Sequence, residues 1–218
     1  MTPGQPDPQR PQPRLYLVTP VAADIASLKL DLLAALDSAD IAAVLLRLPD
    51  EDDRSLINRV KALAPTVQRA GAALILEGHP AIVARGGADG AHLRSITEFE
   101  EVVNALKPDR IAGAGGLSTR HDAMIAAEGG ADYVMFGEPN GADERPVLQA
   151  IAERVSWWAE VFEAPCVAYA GSFDDIAPLA EAGADFVALG DFIFADPRGI
   201  AIAVADAASR LTSKAAVT

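Results

Sequence analysis

A chain of 218 residues that is half apolar can bury one large core, while a net charge of −13 excludes a nucleic-acid surface or an anionic-membrane face, since both need clustered Lys and Arg. The single cysteine, Cys166, has no partner for a disulfide within the chain and cannot build a thiolate metal site, which fits a reducing, cytoplasmic setting. No apolar run approaches the roughly 20 residues that a membrane span requires.

In chain order, "MTPGQPDPQRPQP" places five prolines in 13 residues and contains no hydrophobic segment. A stiff, disordered tail over residues 1–13 is expected rather than a secretory signal, with the fold running from 14 to 218. Short apolar runs then alternate with longer helical stretches. Strands are predicted at 15–19, 42–48, 72–78, 90–94, 110–115, 133–138, 166–171 and 186–190. Their nearly continuous apolar character is that of strands covered on both faces. The connecting stretches carry helical spacing, as in "VLQAIAERVSWWAEVF", where Leu148, Ile151, Val155, Trp158 and Phe162 form one stripe. Trp157 falls beside that stripe, where a half-exposed ring would suit a contact between copies of the chain, so a homo-oligomer is considered. Eight strand–helix pairs imply a closed (β/α)₈ barrel, with an open doubly wound sheet as the alternative.

Gly-Ala-Asp occurs three times before a strand, at 87–89, 130–132 and 183–185. Each Gly is expected at a left-handed helix C-terminus and each Asp at the turn into the sheet. Asp89, Asp132 and Asp185 are therefore read as structural residues of the barrel floor. Function belongs at the other end of the strands. The residues expected there are Thr19, Arg47, Glu77, Gly78, His79, His92, Arg94, Gly115, Gly116, Gly137, Glu138, Gly171, Ser172, Gly190 and Asp191. His92, Glu77 and His79 are the candidate acid–base groups, because imidazole and carboxylate side chains move protons. His79 and Glu77 share a face only if the third strand continues that far. His92 also reads as an ordinary packing residue. Arg47 and Arg94 are the strand-end cations expected to meet an anionic ligand, with Gly115 beside them. Gly171, Ser172, Gly190 and Asp191 mark the last two strands, where barrels bind phosphate through loop amides. Asp191 also reads as an N-cap of the short helix "FIF". Lys29, Lys61, Lys107 and Lys214 all fall on helices or the C-terminal tail, which excludes Schiff-base chemistry.

The motifs "LYLVTP", "VLLRLPD", "GADGAHLR", "ADYVMFGEP", "APCVAYAGS" and "AGADFVALGDFIF" follow one another in an order that resembles the thiamine phosphate synthase/TenI family over nearly everything after the tail. The resemblance implies a barrel that binds a small phosphorylated molecule. Synthases of the family join a pyrimidine pyrophosphate to a thiazole phosphate with Mg²⁺, whereas TenI-type members isomerise the thiazole. Arg47 matches the arginine of the family's Gln-Leu-Arg-x-Lys motif, but Leu45 and Pro49 stand for its Gln and Lys. Glu77-Gly78 replaces an Asn-Asp pair, and Thr97 falls where a second magnesium carboxylate is expected. "PNGADERP" lacks the lysine of the family's Thr-x-Thr-Lys loop, and the pocket serine falls on Gly115 or Gly116. The TenI histidine position holds Leu117 or Ser118, with His121 further on, in a helix. The resemblance thus implies a diverged member without a resident metal, Mg²⁺ entering only with the synthase activity. Three readings stay open: a working synthase, a TenI-like enzyme on a phosphorylated heterocycle, and a non-catalytic barrel that binds a ligand or another protein.

Overall fold

A computed structural model describes residues 11–21, 24–139 and 145–212; residues 1–10, most of the expected tail, lie outside the described residues. Eight parallel strands run in sequence order around a closed barrel: β1 (Arg14–Val18), β2 (Ile41–Leu46), β3 (Ala73–Glu77), β4 (Gly90–Leu93), β5 (Ile111–Ala114), β6 (Tyr133–Phe136), β7 (Cys166–Ala170) and β8 (Phe186–Leu189). The ring shuts where Leu15 pairs with Val187 and Leu17 with Leu189, so the open-sheet alternative is excluded. The main helices are α1 (Ile25–Ser38), α2 (Asp53–Arg69), α3 (Val83–Gly86), α4 (Ile96–Leu106), α5 (Arg120–Glu128), α6 (Leu148–Val161), α7 (Phe173–Glu181), α8 (Asp191–Phe194) and α9 (Ile200–Thr212).

The alternation of side chains along each strand divides the core in two. Leu15, Leu17, Val44, Leu46, Leu74 and Leu76 face the helices, whereas Tyr16, Val18, Leu45, Ile75, Tyr133, Met135, Val167 and Tyr169 fill the barrel. Burying so much aliphatic surface, at about 25 cal/mol per Å² of apolar area, is the main force that closes the ring. In α6, Ile151, Val155 and Trp158 are buried as the stripe requires, and Trp157 is half-buried, its ring covered by the Arg120 guanidinium at 4.5 Å.

The repeated aspartates clip the barrel floor. Asp89 Oδ2 accepts the Leu74 amide at 2.7 Å, Asp132 Oδ2 accepts that of Ala112 at 2.8 Å, and Asp185 Oδ2 accepts that of Cys166 at 2.8 Å. Each thus ties the start of an even strand to the start of the odd strand before it. A fourth copy escaped the sequence pattern because it is written Ser-Ala-Asp: Asp40, before β2, pairs with Arg14 of β1 at 2.6 Å.

The strands stop one or two residues earlier than the hydrophobic runs suggest, and at β3 and β6 the chain turns at a glycine. Gly137 takes φ 89° and ends β6 at Phe136, although "YVMFGE" reads as one run. This left-handed turn, open to glycine at little steric strain, decides where Glu138 goes.

Candidate active site

The C-terminal ends of the strands surround a mouth of about 590 Å³. Its charged lining is Arg47 after β2, Glu77 of β3, Arg94 and Glu98 around the start of α4, Glu138 after β6 and Asp191 of α8, with Leu45, Met135 and Tyr169 below them. Among the described residues two arginines therefore face four carboxylates.

Arg47 sits between Glu77 and Asp191, 3.5 Å from each. Burial pulls its guanidinium pKa down, but Tyr169, Glu77 and Asp191 outweigh burial and hold it raised. Asp191 is the first residue of α8 rather than its cap: Gly190 occupies the cap position without a side-chain bond, and the Asp191 carboxylate turns to Arg47. Arg94 lines the mouth as an exposed side chain. His79 and Glu77 are not brought together. Gly78 and His79 both take positive φ, 65° and 52°, so β3 ends at Glu77 and the imidazole goes to solvent.

His92 is fully buried and does not itself line the mouth. Its Nε2 lies 2.7 Å from Glu138 Oε1, and Glu138 Oε2 accepts the Gly116 amide at 2.9 Å. Glu138 therefore stands between His92 and the opening. On the inner side His92 Nδ1 lies 2.9 Å from the Tyr133 hydroxyl, which is 2.8 Å from the Tyr16 hydroxyl. The imidazole stacks on the Tyr133 ring, the planes 11° apart. Burial raises both phenol pKa values well above the ordinary tyrosine range, so both tyrosines stay protonated as donors.

The expected phosphate corner is engaged by protein groups. The Gly171 amide donates to Asp175 Oδ2 at 2.8 Å and Ser172 Oγ lies 3.2 Å from Asp175 Oδ1. Arg145 Nη1 donates to the same Oδ2 at 2.8 Å, and its Nη2 donates to the Tyr169 carbonyl at 2.6 Å. Above Gly190, the Tyr169 hydroxyl fills the space a side chain would take. Sequence reading missed Arg145, although it is written in "PNGADERP", because its partners, Asp175 and the Tyr169 carbonyl, lie far along the chain. It also ranked His92 above Glu138, the group that reaches the opening. Lys29 and Lys61 lie on α1 and α2, and Lys107 follows α4 and pairs with Asp132 at 2.6 Å, so none of these three serves the mouth; Lys214 lies outside the described residues.

The carboxylates do not fit a magnesium site as they stand. Glu77 and Asp191 turn to Arg47, both Glu138 oxygens already accept bonds, and Glu98 Oε2 accepts the Arg94 amide at 2.8 Å. Mg²⁺ demands oxygens converging in near-octahedral geometry. Among the described residues no group of three or more His, Cys, Asp or Glu side chains is placed to hold a metal ion by itself, so Mg²⁺ would have to enter with substrate phosphates.

Fold and mouth together define a (β/α)₈ barrel with a polar cavity at the C-terminal ends of its strands, where barrels of this class place their sites. The family model described as "Thiamine monophosphate synthase" matches residues 15–193. The chain is 43% identical over 197 residues to the thiamine-phosphate synthase of Rhodospirillum centenum, covering 88% of this chain and 95% of that protein. It is 35% identical over 204 residues to that of Hyphomonas neptunium, covering 89% and 92%. The chain belongs to the thiamine phosphate synthase/TenI family. A thiamine phosphate pyrophosphorylase structure from Pyrococcus furiosus shares the fold, with a TM-score of 0.76 at 21% identity over 93% of this chain and 96% of that one. No helix among the described residues is long and apolar enough to cross a membrane.

Proposed function

We propose that this chain is a cytoplasmic enzyme that acts on small phosphorylated heterocycles in the barrel mouth, and that its reaction is that of a thiamine phosphate synthase, joining a pyrimidine pyrophosphate to a thiazole phosphate. The observation that carries this reading is 43% identity spread over 95% of a protein named as such a synthase. A mouth of about 590 Å³ has the size of a small-molecule site. Arg47, held charged beside two carboxylates, is the group best placed to meet an anionic substrate once it trades a carboxylate for the ligand.

A second reading, a diverged enzyme that moves a proton on a single heterocycle, is favoured by two observations. Glu138 at the opening forms a close acid–base pair with the buried His92 behind it, and Asp175 takes the Gly171 amide that a phosphate would use. One assay separates the two readings. The protein is incubated with both substrates, with and without Mg²⁺, and thiamine phosphate and pyrophosphate are measured. Magnesium-dependent formation of both products supports the synthase. Absence of product, together with binding of thiazole phosphate, overturns it in favour of the second reading.

A further inference from the structure

The barrel interior gives up side chains to make room for polar ones. A Cβ on Gly113 would lie 2.1 Å from the Tyr133 ring, and one on Gly115 would lie 2.3 Å from both Glu138 Oε2 and His92 Nε2. Two bare positions, Gly113 in β5 and Gly115 just after it, thus hold open the path of Tyr16, Tyr133, His92 and Glu138. Aliphatic side chains would fill that space without the desolvation penalty that buried polar groups carry unless fully bonded.

One arrangement of hydrogens satisfies the whole chain. Tyr16 donates to the Tyr133 oxygen, Tyr133 donates to His92 Nδ1, and neutral His92 donates from Nε2 to a Glu138 carboxylate that also accepts the Gly116 amide. Each Glu138 oxygen keeps a lone pair for a ligand. Among the described residues Glu138 has no arginine or lysine partner, because Arg47 is drawn to Glu77 and Asp191. The other titratable or charged groups sharing the mouth are Arg47, Glu77, Arg94, Glu98, Tyr169 and Asp191, an excess of carboxylates that favours a proton-bearing ligand.

We propose that Glu138 is the proton-exchanging group of the barrel mouth, acting on a ring N–H of a nitrogen heteroaromatic ligand, with His92, Tyr133 and Tyr16 as positioning residues that fix its carboxylate. The proposal rests on the reading that such a heterocycle occupies the mouth. In the step, the ring nitrogen of the neutral ligand takes up a proton from the buffer on binding; that N–H bond then breaks, its electron pair stays on the ring nitrogen, and the proton forms an O–H bond on Glu138; the reverse step returns it. The buffer supplies the proton, and no other reactant is needed. His92 Nε2 donates to the carboxyl group in both states.

The test is calorimetric titration of the full chain with 4-amino-5-hydroxymethyl-2-methylpyrimidine and with thiazole phosphate, each in phosphate and in Tris at several pH values around neutrality. In the wild type, binding of the pyrimidine should exchange a proton with the buffer, seen as a binding enthalpy that depends on the buffer. In Glu138→Gln the exchange should vanish and affinity should fall about tenfold. Tyr133→Phe should keep the exchange but move the pH at which it occurs, a change that a purely structural role does not produce. Where Glu138→Gln does not fold by circular dichroism, Glu138→Asp serves instead: it keeps a carboxylate but withdraws it from His92, and should keep the exchange at a displaced pH. Unchanged exchange in Glu138→Gln, or in Glu138→Asp with no displacement, overturns the proposal and leaves the ligand reading intact. Failure of the wild type to bind either heterocycle overturns both.

Discussion

The guanidinium of Arg145 and the carboxylate of Asp175 meet at 2.8 Å behind the ends of β6 and β7, and the same carboxylate oxygen accepts the Gly171 amide. An acidic side chain thus sits on donors that would otherwise hold an anion. Both partners are mostly withdrawn from water, with side-chain exposures of 19% and 12%, so removing one leaves the other poorly solvated. Asp175→Ala should lower stability by about 2 kcal/mol, from lost charge-assisted bonds and an unpaired arginine. Denaturant unfolding checks the loss. The same variant should bind inorganic phosphate more tightly than the wild type, read by calorimetry.

Gly115→Ser is expected to disrupt the mouth. The new Cβ would meet Glu138 Oε2 and His92 Nε2 at 2.3 Å, so their 2.7 Å contact has to open. Overpacking of this kind costs about 1–3 kcal/mol. Thermal unfolding should show that loss, and crystallography should show Glu138 displaced from His92.

All three tyrosines of the chain have raised pKa values, in each case chiefly through burial. A phenol whose folded pKa exceeds its unfolded value of 10.0 contributes stability that is fully present below that pH and is lost as pH rises above it. Ultraviolet titration should therefore show Tyr16 and Tyr133 un-ionised while the chain is folded at pH 10, so that at most Tyr169 contributes tyrosinate there, and a cooperative appearance of tyrosinate together with loss of helical circular dichroism at higher pH. Gradual ionisation of two or more phenols near their ordinary pKa in the folded chain would contradict the buried chain of hydroxyls.

Asp132→Ala removes the acceptor of the Ala112 amide and the partner of Lys107. Most of the effect should come from the amide, because the lysine pair is about a third exposed. A loss of about 1.5–3 kcal/mol is expected for a hydrogen bond to a charged group. The aspartate clips the floor of the barrel, so ligand affinity at the mouth should stay unchanged. A stability scan alongside a binding titration checks both halves.

The barrel and its floor were legible because they are written locally. Runs of apolar residues, the spacing of the α6 stripe and the Gly-Ala-Asp repeats each carry their meaning within a few residues. The mouth is different. Glu138 reaches His92 because Gly137 turns the chain and Gly115 offers no side chain, and the pairing of His92 with Gly113 and of Gly113 with Tyr133 brings those strands side by side. No window of sequence contains that arrangement. Arg145 was hidden for a related reason: its loop position says that a cation is present, while its destination, Asp175, lies thirty residues on. His79 shows the opposite case, a strand-end pair with Glu77 that two left-handed residues pull apart.

The most direct measurement is a crystal structure of the protein soaked or co-crystallised with thiamine phosphate. The ligand should lie in the mouth, with its aminopyrimidine ring within hydrogen-bonding reach of Glu138 and its phosphate toward Arg47. Thiamine phosphate bound elsewhere on the molecule, or a mouth that stays closed to it at saturating concentration, would contradict the account.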